Sequence, residues 1–311
     1  NSEEKGLVPN LATFSKRRIH TVAPTTTATA LTSLTTGKSP GEHGVVGYKI
    51  RTGNQILNAL RWTTGHGSAV NEINPASFQP VEPFFGSAPP IVSPAQFHES
   101  GFSSAHLRGG DYLGYWLPSS MPVLINDSLN SGANFVYSYY DGLDKVGHIH
   151  GINDFYDAEV RFIDDLVGKI LACVPNGTAL IVTADHGLVD VDDSLVTLET
   201  AATDLATALS GEARFLWFHS KRGAEAELVE ILEQLYSQNG WIRTRDQVLD
   251  EGWFGKQVST IANSRLGDVA LVARNPVAFV PAGKEGPKLK ARHGSLTPAE
   301  SYVPLMTMLK A

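Results

Sequence analysis

The chain has 311 residues, a hydrophobic fraction of 42%, a charged fraction of 18% and a formal net charge of −7. That length can bury a large core in one or two domains, and the acid excess argues against loose, sequence-independent nucleic-acid binding, which needs a basic footprint. A single cysteine, Cys173, rules out an internal disulfide, and no apolar run approaches the length of a membrane span.

The N-terminus, "NSEEKGLVPNL", has no Met and no signal-peptide pattern, and nothing before Thr21 reads as a buried strand. It reads as a fragment or a processed form. Location stays open, since low cysteine is compatible with the cytoplasm without requiring it. In "VAPTTTATALTSLTTGKSPGEHGVVGY" (22–48) Pro24 ends an extended stretch, and a helix is expected from Thr27 to Gly37 with hydroxyls near its start. Hydroxyl residues there serve as caps or, beside a phosphate and a cation, as a nucleophile. Residues 74–120 carry seven prolines and scattered aromatics, which predicts irregular structure over the core, near a substrate.

"NFVYSYY" (134–140) and "TALIVTA" (178–184) are continuous apolar runs that suit strands buried on both faces of a parallel sheet. The amphipathic helix between them makes 134–184 a β–α–β unit, and Cys173 at its end reads as a small core residue. A helix with a glycine stop is expected at 224–240, and strands at 266–273 and 276–280. No internal repeat or low-complexity tail is seen, and 1–311 is read as one domain.

Ligands bind open parallel sheets at the C-terminal ends of strands. The loop "DGLDKVGHIHG" (141–151) follows the first apolar strand and "DHG" (185–187) follows the second, so two acid–imidazole clusters should open on one sheet edge. Asp144 and His148 are four apart, and Asp185 and His186 are adjacent; either pair can hold one ion. Such ligands suit zinc, with manganese or iron as alternatives. The competing reading is a pair of solvated loops. His293, in "ARHGSLTPAE", is weak evidence alone.

Together these segments resemble the type I phosphodiesterase/nucleotide pyrophosphatase family of the alkaline phosphatase superfamily. The resemblance rests on "PTTT", "TGKSPGEHG", "DKVGH", "DHG" and the late "RHG", in that order over nearly the whole chain. It implies an alkaline phosphatase-like three-layer α/β/α sandwich with a mostly parallel sheet, and two divalent metal ions, usually zinc. Asp144, His148 and His293 would hold one ion, and Asp185 and His186 the other beside the nucleophile Thr27; Thr25, Thr26 and Thr29 are its rivals. His150 matches no ligand position, and His43 reads as structural. Tyr48 stands where better-known members carry an Asn that binds phosphoryl oxygen, so its hydroxyl is a candidate substrate contact.

One element of the pattern is missing. The family's first strand ends in an Asp that binds the second metal. Here only Glu3 and Glu4 precede Thr27, and neither follows an apolar run. The first core strand is therefore expected to be absent, leaving unpaired sheet edges. The implied activity is metal-dependent hydrolysis of phosphodiester or nucleotide pyrophosphate bonds through a phosphothreonine. Alternatives are a phosphomonoesterase on the same site or a non-catalytic phosphate- or nucleotide-binding relative. A sulfatase is disfavoured because Cys173 lacks a Cys-x-Pro-x-Arg setting. The expected partner is a small phosphodiester or nucleotide, with specificity in 49–130 and 190–260; oligomeric state is left open.

Overall fold

The structure is a computed structural model and describes residues 5–192, 194–283 and 288–311, so Glu3 and Glu4 lie outside the described residues. The chain runs through β1 (Ser15–His20), α1 (Thr27–Thr36), α2 (Pro40–His43), β2 (Lys49–Thr52), β3 (Gln55–Asn58), β4 (Thr63–Thr64), β5 (Gly67–Ser68) and α3 (Pro75–Phe78). It continues with β6 (Pro90–Pro94), α4 (Gly101–His106), β7 (Asp111–Tyr115), α5 (Met121–Asn130), β8 (Tyr137–Ser138), α6 (Gly142–His150), α7 (Asp154–Cys173) and β9 (Ala179–Thr183). The last third holds β10 (Val189–Asp190), β11 (Leu195–Leu198), α8 (Thr200–Thr203), β12 (Ala206–Glu212), β13 (Phe215–Ser220) and α9 (Glu225–Tyr236). It ends with β14 (Gly240–Thr244), α10 (Arg245–Asp250), α11 (Thr260–Arg265), β15 (Val269–Ala273), β16 (Ala278–Pro281), β17 (Ala291–Arg292), α12 (Pro298–Ser301) and β18 (Tyr302–Leu309).

This is the expected α/β architecture, with mixed sheets. Parallel pairing joins β7, β6 and β8, and separately β11 and β16. The largest sheet, β14-β15-β13-β12-β2-β3-β4-β5, is antiparallel. It grows from hairpins such as β12–β13, whose short connections force antiparallel neighbours. Trp62, Phe215, Trp217 and Phe254 fill the core between this sheet and α1, whose Ala28 and Leu31 join the same cluster.

The helix α7 is the spine of the site. Asn153 caps it by accepting from the Phe155 N–H at 3.0 Å, and Asp154 and Asp157 complement the positive end of its dipole. Its apolar stripe packs Leu166 and Ile170 against Val92 and Tyr115, and Val167 against Leu11 and Phe14. It therefore bridges two three-stranded sheets, β7-β6-β8 and β1-β18-β9.

Those two sheets are where the expectations need correcting. The run 134–140 forms only β8, and β9 alternates exposed and half-buried residues, with Ile181 61% exposed. Both were expected to be buried on two faces. Among the described residues β8 pairs only with β6 and β9 only with β18, so each keeps an open edge. The expected loop 141–151 is mostly the helix α6. Cys173 is exposed instead of packed in the core, at the last residue of α7.

Candidate metal-dependent active site

Thr27 opens α1. No side chain caps the helix, which ends at Gly37 in the left-handed region (φ 66°), its N–H bonded to Ser33 O. Thr27 is half-buried, and its Oγ1 lies 3.0 Å from His186 Nε2. The rival threonines point elsewhere. The Thr25 hydroxyl donates to Ser295 O at 2.7 Å, the Thr26 hydroxyl bonds Glu212, and Thr29 is fully buried.

Asp144 and His148 lie one turn apart on α6, with Asp144 Oδ2 3.3 Å from His148 Nε2. Asp185 and His186 follow β9, with Oδ2 to Nε2 at 3.5 Å. His293 follows β17, and its Nε2 lies 3.8 Å from Asp144 Oδ1. The His186 and His293 rings stack at 3.7 Å between centroids. One ligand atom each from Asp144, His186 and His293 falls within 4.8 Å of the others. Thus the structure brings together Thr27, Asp144, His148, Asp185, His186 and His293.

The backbone sets the imidazole tautomers. His148 Nδ1 lies 2.8 Å from Ala291 O, His186 Nδ1 3.0 Å from Gly187 O, and His293 Nδ1 2.9 Å from Thr25 O. A carbonyl can only accept, so each Nδ1 carries the proton and each Nε2 presents a lone pair to the cluster. Asp144 Oδ1 is buried without a hydrogen-bond partner. Burial, then the neighbouring His186, pushes His293 well down and keeps it neutral.

The family model for type I phosphodiesterase/nucleotide pyrophosphatase matches residues 4–296. The chain belongs to this family. No curated protein sequence matches it. In fold, this phosphodiesterase-family chain is similar to an inactive murine ectonucleotide pyrophosphatase/phosphodiesterase 5 in complex with AMP, with a TM-score of 0.76 at 15% identity, covering 98% of this chain and 84% of that one. It is equally similar to phosphonoacetate hydrolase from Sinorhizobium meliloti 1021 in complex with phosphonoformate, at TM-score 0.75 and 15% identity, covering 98% and 85%. The human ectonucleotide pyrophosphatase/phosphodiesterase 5 follows at TM-score 0.68 and 18% identity, covering 93% and 78%.

Several surroundings of the family site carry no signal in the sequence. Glu212, at the end of β12, puts Oε2 3.7 Å from His293 Nδ1, and burial pushes its carboxyl up to about 8. A cavity of about 160 Å³ opens beside Thr27 and Asp144, and its walls come from 60–107 and 137–145. Residues 190–260 contribute nothing to that lining, unlike the expectation. Tyr48 is absent from it too, because its hydroxyl accepts from Asn58 Nδ2 at 2.7 Å. His150 stacks on Phe155, away from the cluster, and buried His43 bonds Ser33 Oγ at 2.8 Å.

Proposed function

We propose that this chain hydrolyses phosphodiester or nucleotide pyrophosphate bonds through a phosphothreonine on Thr27. Asp144, His148 and His293 would hold one divalent ion, and Asp185 and His186 a second, with zinc the first choice. The observation that carries this reading is the set of three Nε2 lone pairs converging on Asp144, whose buried Oδ1 has no partner. Lone pairs facing an orphaned carboxylate oxygen repel unless a cation or proton lies between them, and imidazole plus carboxylate is a donor set that fits zinc. Backbone carbonyls fixing the far nitrogen are the usual support for histidine ligands. Bound ions would supply charge stabilisation for the phosphoryl group and favour the ionised Thr27 hydroxyl.

The chain's own residues account for the rest. Thr27 Oγ1 attacks phosphorus in line, the new P–O bond forms and the bond to the departing alcohol or nucleotide breaks. The N–H groups opening α1, with no side-chain cap among the described residues, orient the phosphoryl oxygens. Water then attacks phosphorus, the bond to Thr27 Oγ1 breaks, the phosphate monoester leaves with the water's oxygen, and Thr27 regains its hydroxyl proton. Because, among the described residues, the set beside Thr27 lacks the carboxylate that the resemblance leads one to expect, its occupancy is the point most worth measuring.

The test is zinc-dependent hydrolysis of bis(p-nitrophenyl) phosphate by the parent chain and Thr27→Ala, with zinc binding followed by calorimetry. We expect the variant to bind zinc and to lose about a thousandfold or more in turnover. Equal turnover in both would remove Thr27 as nucleophile. Zinc binding without turnover in the parent would favour a binding protein, and faster turnover of p-nitrophenyl phosphate would favour the monoesterase.

A further inference from the structure

Thr26 stands just before α1, where a threonine ordinarily caps its helix. Its backbone is extended (φ −130°, ψ 144°), the conformation in which the side-chain oxygen accepts from the second or third helical N–H. Thr26 makes no such bond. Among the described residues the N–H groups of Thr27, Ala28 and Thr29 have no acceptor, and the first helical amide to find one is Ala30, 2.9 Å from Thr26 O. The helix thus presents three bare amides at its positive end, beside the Thr27 hydroxyl.

The group that turns the Thr26 hydroxyl away is Glu212, the last residue of β12, whose carboxyl it bonds. Packing on both sides fixes Glu212. Gly211, at φ +82°, leaves no room for a side chain against Phe215 O, and a Cβ on Gly294 would lie 2.7 Å from Glu212 Cδ.

The carboxyl itself is poorly served. Its Oε1 is buried without a partner, and Oε2 stands 3.7 Å from His293 Nδ1, which already donates to Thr25 O. A buried acceptor left so open costs stability, so the carboxyl is a weak stabiliser of the fold. Its effect falls on the Thr26 hydroxyl.

We infer that Glu212 is a positioning residue: by holding the Thr26 hydroxyl it keeps the natural cap off α1 and leaves the Thr27, Ala28 and Thr29 N–H groups open to phosphoryl oxygens. This rests on the phosphohydrolase reading of the site and adds a residue to it. Glu212 acts through Thr26 and touches no reacting atom. Without the carboxyl, Thr26 is left with a buried hydroxyl and no partner. Rotation about χ1 then carries its oxygen to the vacant amides, where it competes with phosphate by about fivefold, the usual worth of a threonine cap.

The experiment measures inorganic phosphate and zinc binding by calorimetry, and kcat and KM for bis(p-nitrophenyl) phosphate, on zinc-supplemented chains. The variants are Glu212→Met, Glu212→Gln, Thr26→Val and the double variant Glu212→Met with Thr26→Val. We expect Glu212→Met to bind phosphate about fivefold more weakly and to lose at least as much in kcat/KM. Glu212→Gln still accepts from the hydroxyl and should bind phosphate like the parent. The double variant has no hydroxyl to form a cap and should recover the parent's phosphate affinity. Recovery on removing a second group is a result that a merely structural role does not give. Phosphate binding by Glu212→Met at the parent's strength, or a double variant no better than Glu212→Met, overturns the inference. So does a loss of zinc affinity in Glu212→Met, which would place the effect at His293. If Glu212→Met does not fold, Glu212→Ala with and without Thr26→Val makes the same comparison. A parent that binds phosphate without turnover removes the hydrolase reading and leaves this comparison standing; a parent that binds none overturns both.

Discussion

A methyl group on Gly187 would collide with the carbonyl oxygen of Ala299. Gly187 sits where the turn after β9 passes against α12, and its N–H donates to Glu300 O at 2.8 Å. That close approach puts Gly187 O within reach of His186 Nδ1 and so sets the tautomer that points Nε2 at Thr27. Gly294 plays the same part beside His293: its φ is +123°, and a Cβ there would lie 2.7 Å from Glu212 Cδ. The glycine in each His-Gly pair is thus a packing requirement of the neighbouring imidazole. Gly187→Ala should destabilise the chain by about 2 kcal/mol, the usual cost of forcing atoms into a packed site, and should weaken zinc binding as well. Urea unfolding and zinc calorimetry on the same sample check both parts. A variant that loses stability but binds zinc like the parent would separate the turn from the site.

At the scale of elements, the two imidazole turns share one anchor. Arg214, just before β13, and Glu300 in α12 form a bidentate pair, Nε to Oε1 and Nη2 to Oε2 both at 2.7 Å, with side chains 1% and 0% exposed. Glu300 also accepts from Ser295 N at 3.0 Å and Thr297 Oγ1 at 2.5 Å, while Arg214 Nη1 donates to Asn275 O and Val277 O. Each Glu300 oxygen thereby accepts two hydrogen bonds and four of the five Arg214 N–H groups donate, the kind of satisfaction a buried pair needs to hold. Glu300→Gln should cost about 3–5 kcal/mol, because it leaves Arg214 charged and buried without a counterion. A urea midpoint within error of the parent would show that the pair is dispensable. Nothing in the sequence marked this anchor, since its partners lie 86 positions apart. The chemical residues were legible because acids and imidazoles clustered after apolar runs, and that logic needs only topology. The extent of β8 was not, because strand length depends on a neighbour that the described residues do not supply. Nor was α6 legible: its glycines suggest a loop, but the i,i+4 pairs Asp141–Lys145 and Asp144–His148 hold it as a helix.

For the whole molecule, the number of histidines buried as neutral rings predicts how stability depends on acid. His43 is pushed down to about 3 by burial, and His106 and His219 to about 4 for the same first reason. In the unfolded chain each titrates near 6.5. Between those values the unfolded state holds the proton and the folded state does not, so acid favours unfolding. Each ring's contribution is therefore complete above about pH 6.5 and is lost as pH falls toward the folded value, at up to about 1.4 kcal/mol per pH unit. Two groups in the site act in the opposite sense. Asp144 keeps His148 raised despite burial, and Glu212 is raised by burial, so both hold protons longer in the folded chain. A comparison that leaves those two unchanged isolates the buried rings. His219→Gln provides it, because the amide can still meet Ser210 Oγ, which the ring nitrogen bonds at 2.8 Å, but cannot take up the proton. Urea midpoints at pH 7, 6 and 5 should fall in both proteins and less steeply in the variant, by the share of one histidine. Parallel slopes would mean that His219 titrates alike in both states and that its burial exerts no force on the folding equilibrium.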